Sequence, residues 1–238
     1  MKKLRFQDLI IWENDNYLLL NKPAGIATLD DRETDSNLLK WAKEERGDVQ
    51  AAHRLDKETS GIIAFAKHPE AYRHLAVQFE KRKVTKLYHA IVDGLHEFDN
   101  TKVTYPLLSL GKGTVIIERE KGKPAETSFT TLEAFRTHTL LGCEPVTGRM
   151  HQIRVHLQAL KAPITGDETY GGKPLYLSSI KRHYNLKQGT DEQPVLGRVA
   201  LHARQLTFAD LDGTILNIEA PYPKDLEVAL KQLRRFGQ

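Results

Sequence analysis

A charged turn that leads straight into an apolar run is the feature that most constrains this chain. Residues His53–Gly61 place Asp56 between the cations Arg54 and Lys57, and the apolar run Ile62–Ala66 follows. Such a run, bounded by turn residues, predicts a strand buried on both faces. Asp56 would then lie beside the start of that strand in a basic setting, which favours chemistry on a polyanion. The alternative is a solvated charged turn that only feeds a core strand.

The rest of the chain predicts an α+β fold, because strand patterns alternate irregularly with a few amphipathic helices. Predicted strands are Leu9–Trp12 paired with Tyr17–Leu20, then Leu87–Val92, Thr114–Ile117, Thr127–Phe135, Thr139–Glu144, and the hairpin of Leu201–Phe208 with Thr214–Ile218. Four helices are predicted. The first runs from Leu38 to near Gly47 and is capped by Ser36, and the second begins at Pro69 and has an apolar stripe of Tyr72, Leu75, Ala76 and Phe79. The other two are His151–Leu160 and Asp225–Phe236. The polar, basic stretch Tyr176–Gly197 is predicted to be an insertion loop.

Composition excludes some classes of protein. The chain of 238 residues carries a net charge of +4, which suits an RNA-binding surface without proving one. A single cysteine, Cys143, excludes an intramolecular disulfide. We find no apolar run near the roughly 20 residues of a membrane helix and no signal-peptide pattern, so a cytoplasmic protein is expected.

The charged turn and five further motifs together resemble the sequence pattern of a known family. His53-Arg54-Leu55-Asp56-x-x-Thr59-Ser60-Gly61 resembles the signature of the RluA-type RNA pseudouridine synthases. The resemblance extends to Asn21–Gly25, to Lys86–Ala90 followed by Val92 and Gly94, to Thr147–Leu157, to Gly166–Asp167 with Tyr170–Gly171, and to Leu201–Ala203. Motifs in this order span about residues 10 to 223, which favours the family more strongly than any particular RNA target.

The resemblance implies a fold and an activity. It implies an α+β pseudouridine synthase-like domain with a bent, mainly antiparallel mixed β-sheet flanked by helices and loops. One catalytic domain would fill residues 1–238, with a core of about 10–223, a C-terminal helix of about 224–236, and no separate N-terminal S4-type RNA-binding domain. The protein would be an isomerase that converts specific uridines of ribosomal or transfer RNA to pseudouridine. No cofactor is expected, and the partners would be structured RNA, with no membrane and no obligatory protein partner, for a protein that is monomeric.

The same resemblance implies three catalytic residues. Asp56 would supply the carboxylate, and attack on the sugar, addition to the base and removal of a ribose proton all stay open as its role. Tyr88 would stack on uracil and assist loss of the C5 proton. Arg154 would pair with Asp56, because arginine stays charged and binds carboxylates in a two-pronged fashion. The structural alternatives are a core tyrosine and a surface arginine on an amphipathic helix.

A second group of residues would bind the RNA. Arg54 would fill the space left by a flipped uridine or grip a phosphate, and His53 would assist it or make a structural hydrogen bond. Arg149 lies five residues before Arg154, about 140° away on a regular helix, so we place it in the preceding Thr-Gly turn, on phosphate. The remaining candidates are Gln152, Ile153 and Leu157, the last two either forming an apolar wall under the base or belonging to the core.

Other classes of function have weaker support in the sequence. A non-catalytic RNA-binding protein that keeps the fold is the main alternative. A metal-dependent hydrolase would need ligands such as His53, His151, His156 and Asp167, whose spacing matches no known metal site. Cys143 as a methyltransferase nucleophile lacks a glycine-rich cofactor loop.

Overall fold

The predicted strands and helices form close to their predicted bounds. The computed structural model describes residues 4–30, 37–111, 113–186 and 189–237. The strands are β1 (Ile10–Glu13), β2 (Tyr17–Lys22), β3 (Gln50–Ala51), β4 (Ser60–Ala66), β5 (Thr85–Asp93), β6 (Thr101–Val103), β7 (Leu107–Ser109), β8 (Val115–Ile117), β9 (Thr127–Ala134), β10 (His138–Pro145), β11 (Leu201–Ala209) and β12 (Ile215–Glu219). The helices are α1 (Leu38–Arg46), α2 (Pro69–Glu80), α3 (Gln152–Ala159), α4 (Leu177–Ile180) and α5 (Lys224–Phe236), with 3-10 turns at Phe6–Leu9 and Glu168–Tyr170. Strands β3, β6 and β7 and helix α4 were not predicted, and α4 lies within the predicted loop Tyr176–Gly197.

Two details of the first helices differ from the sequence-based prediction. Helix α1 is capped by Asn37, whose side chain accepts a hydrogen bond from the Lys40 N–H, and the predicted cap Ser36 lies outside the described residues. Helix α2 buries Ala71, Leu75 and Gln78, while Tyr72 of the predicted apolar stripe is exposed. The buried polar Gln78 explains the shift, because its amide binds the backbone of Ala209 in both directions.

The described residues group into two compact units, and the first contains those that lie within 1–87 and 202–221. Its strands pair in the order β1, β2, β4, β11, β12, with β3 also on β4. Pairing is antiparallel except between β4 and β11, which are parallel. Residues Leu18–Leu20 and Ile62–Ala66 are almost fully buried and form the centre of this unit. The predicted strand after Asp56 is therefore confirmed as a core strand.

The second unit contains residues 88–201 and 222–238. Strands β5, β10, β9 and β6 pair in that order, all antiparallel, and β7 with β8 forms a separate hairpin. Helices α3 and α5 contribute Leu157, Leu230 and Leu233 to its core. The strands of the first unit are mixed and mainly antiparallel, those of the second are antiparallel, and both units also contain helices, which confirms the α+β class. No helix within the described ranges is long and apolar enough to span a membrane.

Candidate active site

The backbone on the N-terminal side of Asp56 is fixed by one threonine. Thr28 Oγ1 accepts a hydrogen bond from the Leu55 N–H at 3.1 Å and donates one to the Leu55 carbonyl at 2.9 Å. Both residues are buried, so the two hydrogen bonds are shielded from water. Sequence reasoning missed Thr28, which lies 27 residues before its partner and carries no motif of its own.

The backbone on the C-terminal side is fixed by the Asn21–Gly25 segment. The Lys57 carbonyl accepts hydrogen bonds from the Gly25 N–H at 2.8 Å and from Lys22 Nζ at 3.1 Å. Lys22 is fully buried and also donates to the carbonyls of Pro23 and Ile26. The ammonium group of Lys22 can be buried because three carbonyl oxygens accept hydrogen bonds from it, and it thereby ties this turn segment to Lys57.

Asp56 itself is half-buried. Its backbone carbonyl accepts a hydrogen bond from the Thr59 N–H at 3.1 Å, which closes a turn. Within the described part of the first unit, no group hydrogen-bonds or ion-pairs with the Asp56 carboxylate. The turn fixes the backbone of Asp56, which makes its carboxylate a candidate group for binding a ligand.

The end of the motif is fixed by strand β11. Ser60 Oγ lies 3.0 Å from His202 Nδ1, and both residues are fully buried. Gly61 has φ of +116°, and a Cβ placed there would lie 2.2 Å from the carbonyl oxygen of Ala203. Gly61 therefore allows a close approach of two backbones, and the Leu201–Ala203 motif is the backbone that it approaches.

His53 and Arg54 have different surroundings. The His53 ring stacks on Phe79 with centroids 4.6 Å apart, and its Nε2 accepts from the Ala64 N–H at 3.0 Å. Desolvation by burial, with a smaller contribution from the Lys86 charge, lowers the pKa of His53 to about 3. The structural hydrogen bond considered for His53 is therefore present, whereas Arg54 is exposed. Contact of either residue with RNA stays a prediction.

Lys86 and Tyr88 belong to strand β5, as the sequence pattern predicts. Burial, helped by the Arg82 charge, lowers the pKa of Lys86 to about 8. Tyr88 pairs with Cys143 of β10, packs against the core of the second unit and remains half-buried. A ring that is only half-buried retains a surface on which a base could stack.

Arg154 binds a carboxylate other than the one that the resemblance implies. Its Nε and Nη2 each donate to an Asp167 carboxylate oxygen at 2.7 Å, and both residues are buried. The guanidinium also lies over the Tyr170 ring, 4.9 Å from its centroid. The alternative of a surface arginine is thus wrong, and a contact with Asp56 stays a prediction.

Gln152, the first residue of helix α3, holds the preceding turn that contains Arg149. Gln152 Oε1 accepts from Thr147 Oγ1 and the Arg149 N–H, and its Nε2 donates to Glu126 O and Thr127 Oγ1. All hydrogen-bonding positions of this amide are used within the protein. Arg149 is exposed and precedes the helix, as predicted, with its Nε donating to the Pro124 carbonyl.

Ile153 and Leu157 both belong to the hydrophobic core of the second unit, where Leu157 is fully buried. Of the two predicted roles, an apolar wall under the base or part of the core, their burial favours the core. A wall beneath the base stays a prediction for both.

The residues considered for other chemistries are held by internal contacts. His151 Nδ1 lies 2.9 Å from the Tyr170 hydroxyl, and His156 contacts Thr127 Oγ1 and the Tyr105 carbonyl. Across the described ranges, no cluster of three potential ligands is arranged to hold a metal ion. Cys143 is fully buried in strand β10, and burial raises the pKa of its thiol, which suits packing rather than nucleophilic attack.

Comparison with known proteins identifies the class to which this fold and site belong. A family model described as RNA pseudouridylate synthase matches residues 16–159. The chain belongs to this family, whose members are isomerases.

Individual relatives narrow the comparison. The chain is 35% identical over 241 residues to ribosomal large subunit pseudouridine synthase C of Vibrio vulnificus (strain CMCP6), covering 98% of this chain and 71% of the relative. It is 36% identical over 234 residues to the protein of that name from Escherichia coli (strain K12), covering 95% and 70%. Among solved structures, Human RNA Pseudouridylate Synthase Domain Containing 4 superposes with a TM-score of 0.72 at 25% identity, covering 96% of this chain and 94% of that one.

Proposed function

We propose that this protein converts specific uridines of large-subunit ribosomal RNA to pseudouridine, with Asp56 as the catalytic carboxylate and without a cofactor. The names of the relatives from Vibrio vulnificus and Escherichia coli support ribosomal RNA as the substrate. Among the described residues of the first unit, no group binds the Asp56 carboxylate, and this structural observation carries the choice of catalytic residue.

The chemistry explains why amino-acid side chains suffice. Isomerisation breaks the bond between uracil N1 and ribose C1′ and forms one between C5 and C1′, while the C5 proton is lost and N1 gains a proton. Atoms and electrons balance within the nucleotide, so no redox group is needed. The protein has to supply a carboxylate near the sugar, a surface for the detached base and a path for one proton.

Each proposed role is supported by the surroundings of one residue. Thr28, Lys22 and Gly25 hold the backbone on both sides of Asp56, which reduces the cost of ordering its carboxylate against a substrate. Tyr88 offers a half-buried ring for stacking and a hydroxyl for the C5 proton. Arg154 supplies a buried cation, and Asp167 holds its guanidinium through two hydrogen bonds.

Asp56→Asn tests the proposal against the alternative of a non-catalytic RNA-binding protein. The variant keeps the size of the side chain but loses its charge, so we expect pseudouridine formation to fall to background while RNA affinity stays near that of the wild type. Pseudouridine is mapped in large-subunit ribosomal RNA from cells that lack the chromosomal gene and express each variant. Asp48→Asn, at an exposed position of the same unit, is the matched control and should restore the modification.

Two outcomes would contradict the proposal. Full modification by Asp56→Asn would remove Asp56 from the chemistry. Ribosomal RNA that is identical with and without the wild-type protein would exclude it as the substrate.

A further inference from the structure

The guanidinium of Arg154 is constrained from two directions by one short segment. Asp167 binds its Nε and Nη2 in a bidentate pair with both distances at 2.7 Å. Tyr170, three residues later, places its ring against the guanidinium at 4.9 Å. Both contacts come from the stretch Gly166–Gly171, which the sequence motifs singled out without giving it a role.

This segment is itself tightly fixed. The Asp167 carbonyl accepts from the N–H groups of Tyr170 and Gly172, and the Asp167 N–H donates to Ile164. A Cβ on Gly166 would lie 2.1 Å from the Arg198 carbonyl oxygen, and one on Gly172 would lie 1.8 Å from that of Ile164. These close backbone contacts leave little room for the segment to move, so the positions of Asp167 and Tyr170 next to Arg154 are fixed.

Tyr170 is also fixed at its far end. Its hydroxyl accepts a hydrogen bond from the Val115 N–H at 3.1 Å and lies 2.9 Å from His151 Nδ1. His151 precedes helix α3 in a left-handed conformation with φ of 53°. The ring plane against Arg154 is therefore set by contacts to strand β8 and to the start of the helix that carries Arg154.

Stability alone gives a weak reason for this arrangement. Burying an arginine and an aspartate removes both from water, and the attraction between them often does no more than offset that cost. A bidentate pair does fix the plane and rotation of a guanidinium, which a single hydrogen bond does not. Orientation of a catalytic cation is a function that would justify a buried pair at this position.

The geometry points to Asp167 and Tyr170 as positioning residues for the isomerisation, which act by fixing the plane and rotation of the Arg154 guanidinium. This inference rests on the proposed function. Asp167 and Tyr170 need not touch the substrate, and their effect on the reaction passes through Arg154.

Single-turnover rates on unmodified large-subunit ribosomal RNA transcribed in vitro test the inference. Asp167→Asn should lower the rate constant at saturating RNA by about a hundredfold, because small displacements of a catalytic group carry costs of that size. The apparent Kd for RNA should stay within about twofold of the wild-type value, since Asp167 does not bind the substrate. Asp225→Asn is the matched control, because Arg198 and Asp225 form another bidentate pair in the same unit. It should keep the wild-type rate.

Variants of Tyr170 give a second, independent measurement. Tyr170→Phe keeps the ring against Arg154 but loses the hydroxyl contacts that set the plane of the ring, so it should slow the reaction only in part. Tyr170→Leu loses the ring and should slow the reaction. Rates are compared at a temperature where circular dichroism shows every variant folded, so that loss of structure is not scored as loss of positioning.

A double substitution shows whether the effect passes through Arg154. In an Arg154→Lys background, Asp167→Asn should slow the reaction much less than it does in the wild type, because lysine has no planar guanidinium for Asp167 to orient. Equal slowing in both backgrounds, a wild-type rate for Asp167→Asn, or equal losses for Asp167→Asn and Asp225→Asn would each overturn the inference. Absence of pseudouridine with the wild-type protein would instead overturn the proposed function.

Discussion

At the scale of single residues, the surroundings of His53 set its charge. Its ring lies on Phe79 and its Nε2 accepts from the Ala64 N–H, so the neutral form with the proton on Nδ1 fits the site. If Nε2 were protonated, its N–H would face the N–H of Ala64, and two hydrogen-bond donors would oppose each other. Burial and the nearby Lys86 charge act in the same direction and lower the pKa to about 3.

A pH dependence of stability follows from this shift. An unfolded histidine binds a proton below its ordinary pKa of 6.5, whereas folded His53 does so only near pH 3. The contribution of His53 to stability is therefore complete above pH 6.5 and is lost as the pH falls towards 3. The loss approaches about 1.4 kcal/mol per pH unit, the value for one proton bound only by the unfolded state. Urea denaturation at pH 7.5, 6.0 and 5.0 measures it.

His53→Gln separates this contribution from those of other groups. The variant should be less stable than the wild type at pH 7.5, and the difference should narrow steadily towards pH 5. His183→Gln, at an exposed position, should leave the pH dependence unchanged. A constant difference between wild type and His53→Gln across the range would show that His53 titrates normally.

At the scale of elements, the parallel approach of β11 to β4 holds the end of the Asp56 motif. Gly61→Ala would place a methyl group 2.2 Å from a backbone oxygen of Ala203, where no side chain can move aside. With the strain of the positive φ, we expect the free energy of unfolding to fall by about 3 to 5 kcal/mol. Gly213→Ala is the control, because it has φ of +86° in open space and should cost about 1 kcal/mol. Equal effects in urea denaturation would refute the close approach.

Local patterns predicted most elements, because apolar periodicity depends on residues a few positions apart. Strand β4, helix α3 and the C-terminal helix α5 were visible for this reason. The cap of α1 was missed because Asn37 and Ser36 are both good N-caps, and the choice depends on backbone geometry.

Contacts that build the site could not be predicted in the same way. The Thr28 bonds to Leu55, the Asp167 pair with Arg154 and the Ser60 contact with His202 join residues separated by 27, 13 and 142 positions. No local pattern contains such pairs. Resemblance identified Asp56, Tyr88 and Arg154 as candidates, but the groups that hold the Asp56 backbone and the Arg154 guanidinium emerged only from the fold.

At the scale of the whole molecule, charge bears on how RNA is bound. The net charge of +4 gives a weak general attraction to phosphate. Each cationic side chain contributes equally to this attraction, wherever it lies on the protein. A side chain in direct contact with phosphate adds a further, local contribution that appears as counterion release. The two contributions can be separated by removing one positive charge at two different places.

Arg54 and Arg234 provide this comparison. Arg54 is exposed and two residues from Asp56, whereas Arg234 is bound by Glu133 through its Nε and Nη2. Arg54→Gln and Arg234→Gln lower the net charge of the protein by the same amount. If Arg54 contacts phosphate, log Kd against log salt should lose about 0.7 to 0.9 of slope in Arg54→Gln, the value for one phosphate contact. Arg234→Gln should keep the wild-type slope, measured by filter binding of ribosomal RNA between low and moderate salt. The same slope for both variants would mean that Arg54 acts through net charge alone and that its proposed grip on the RNA backbone is wrong.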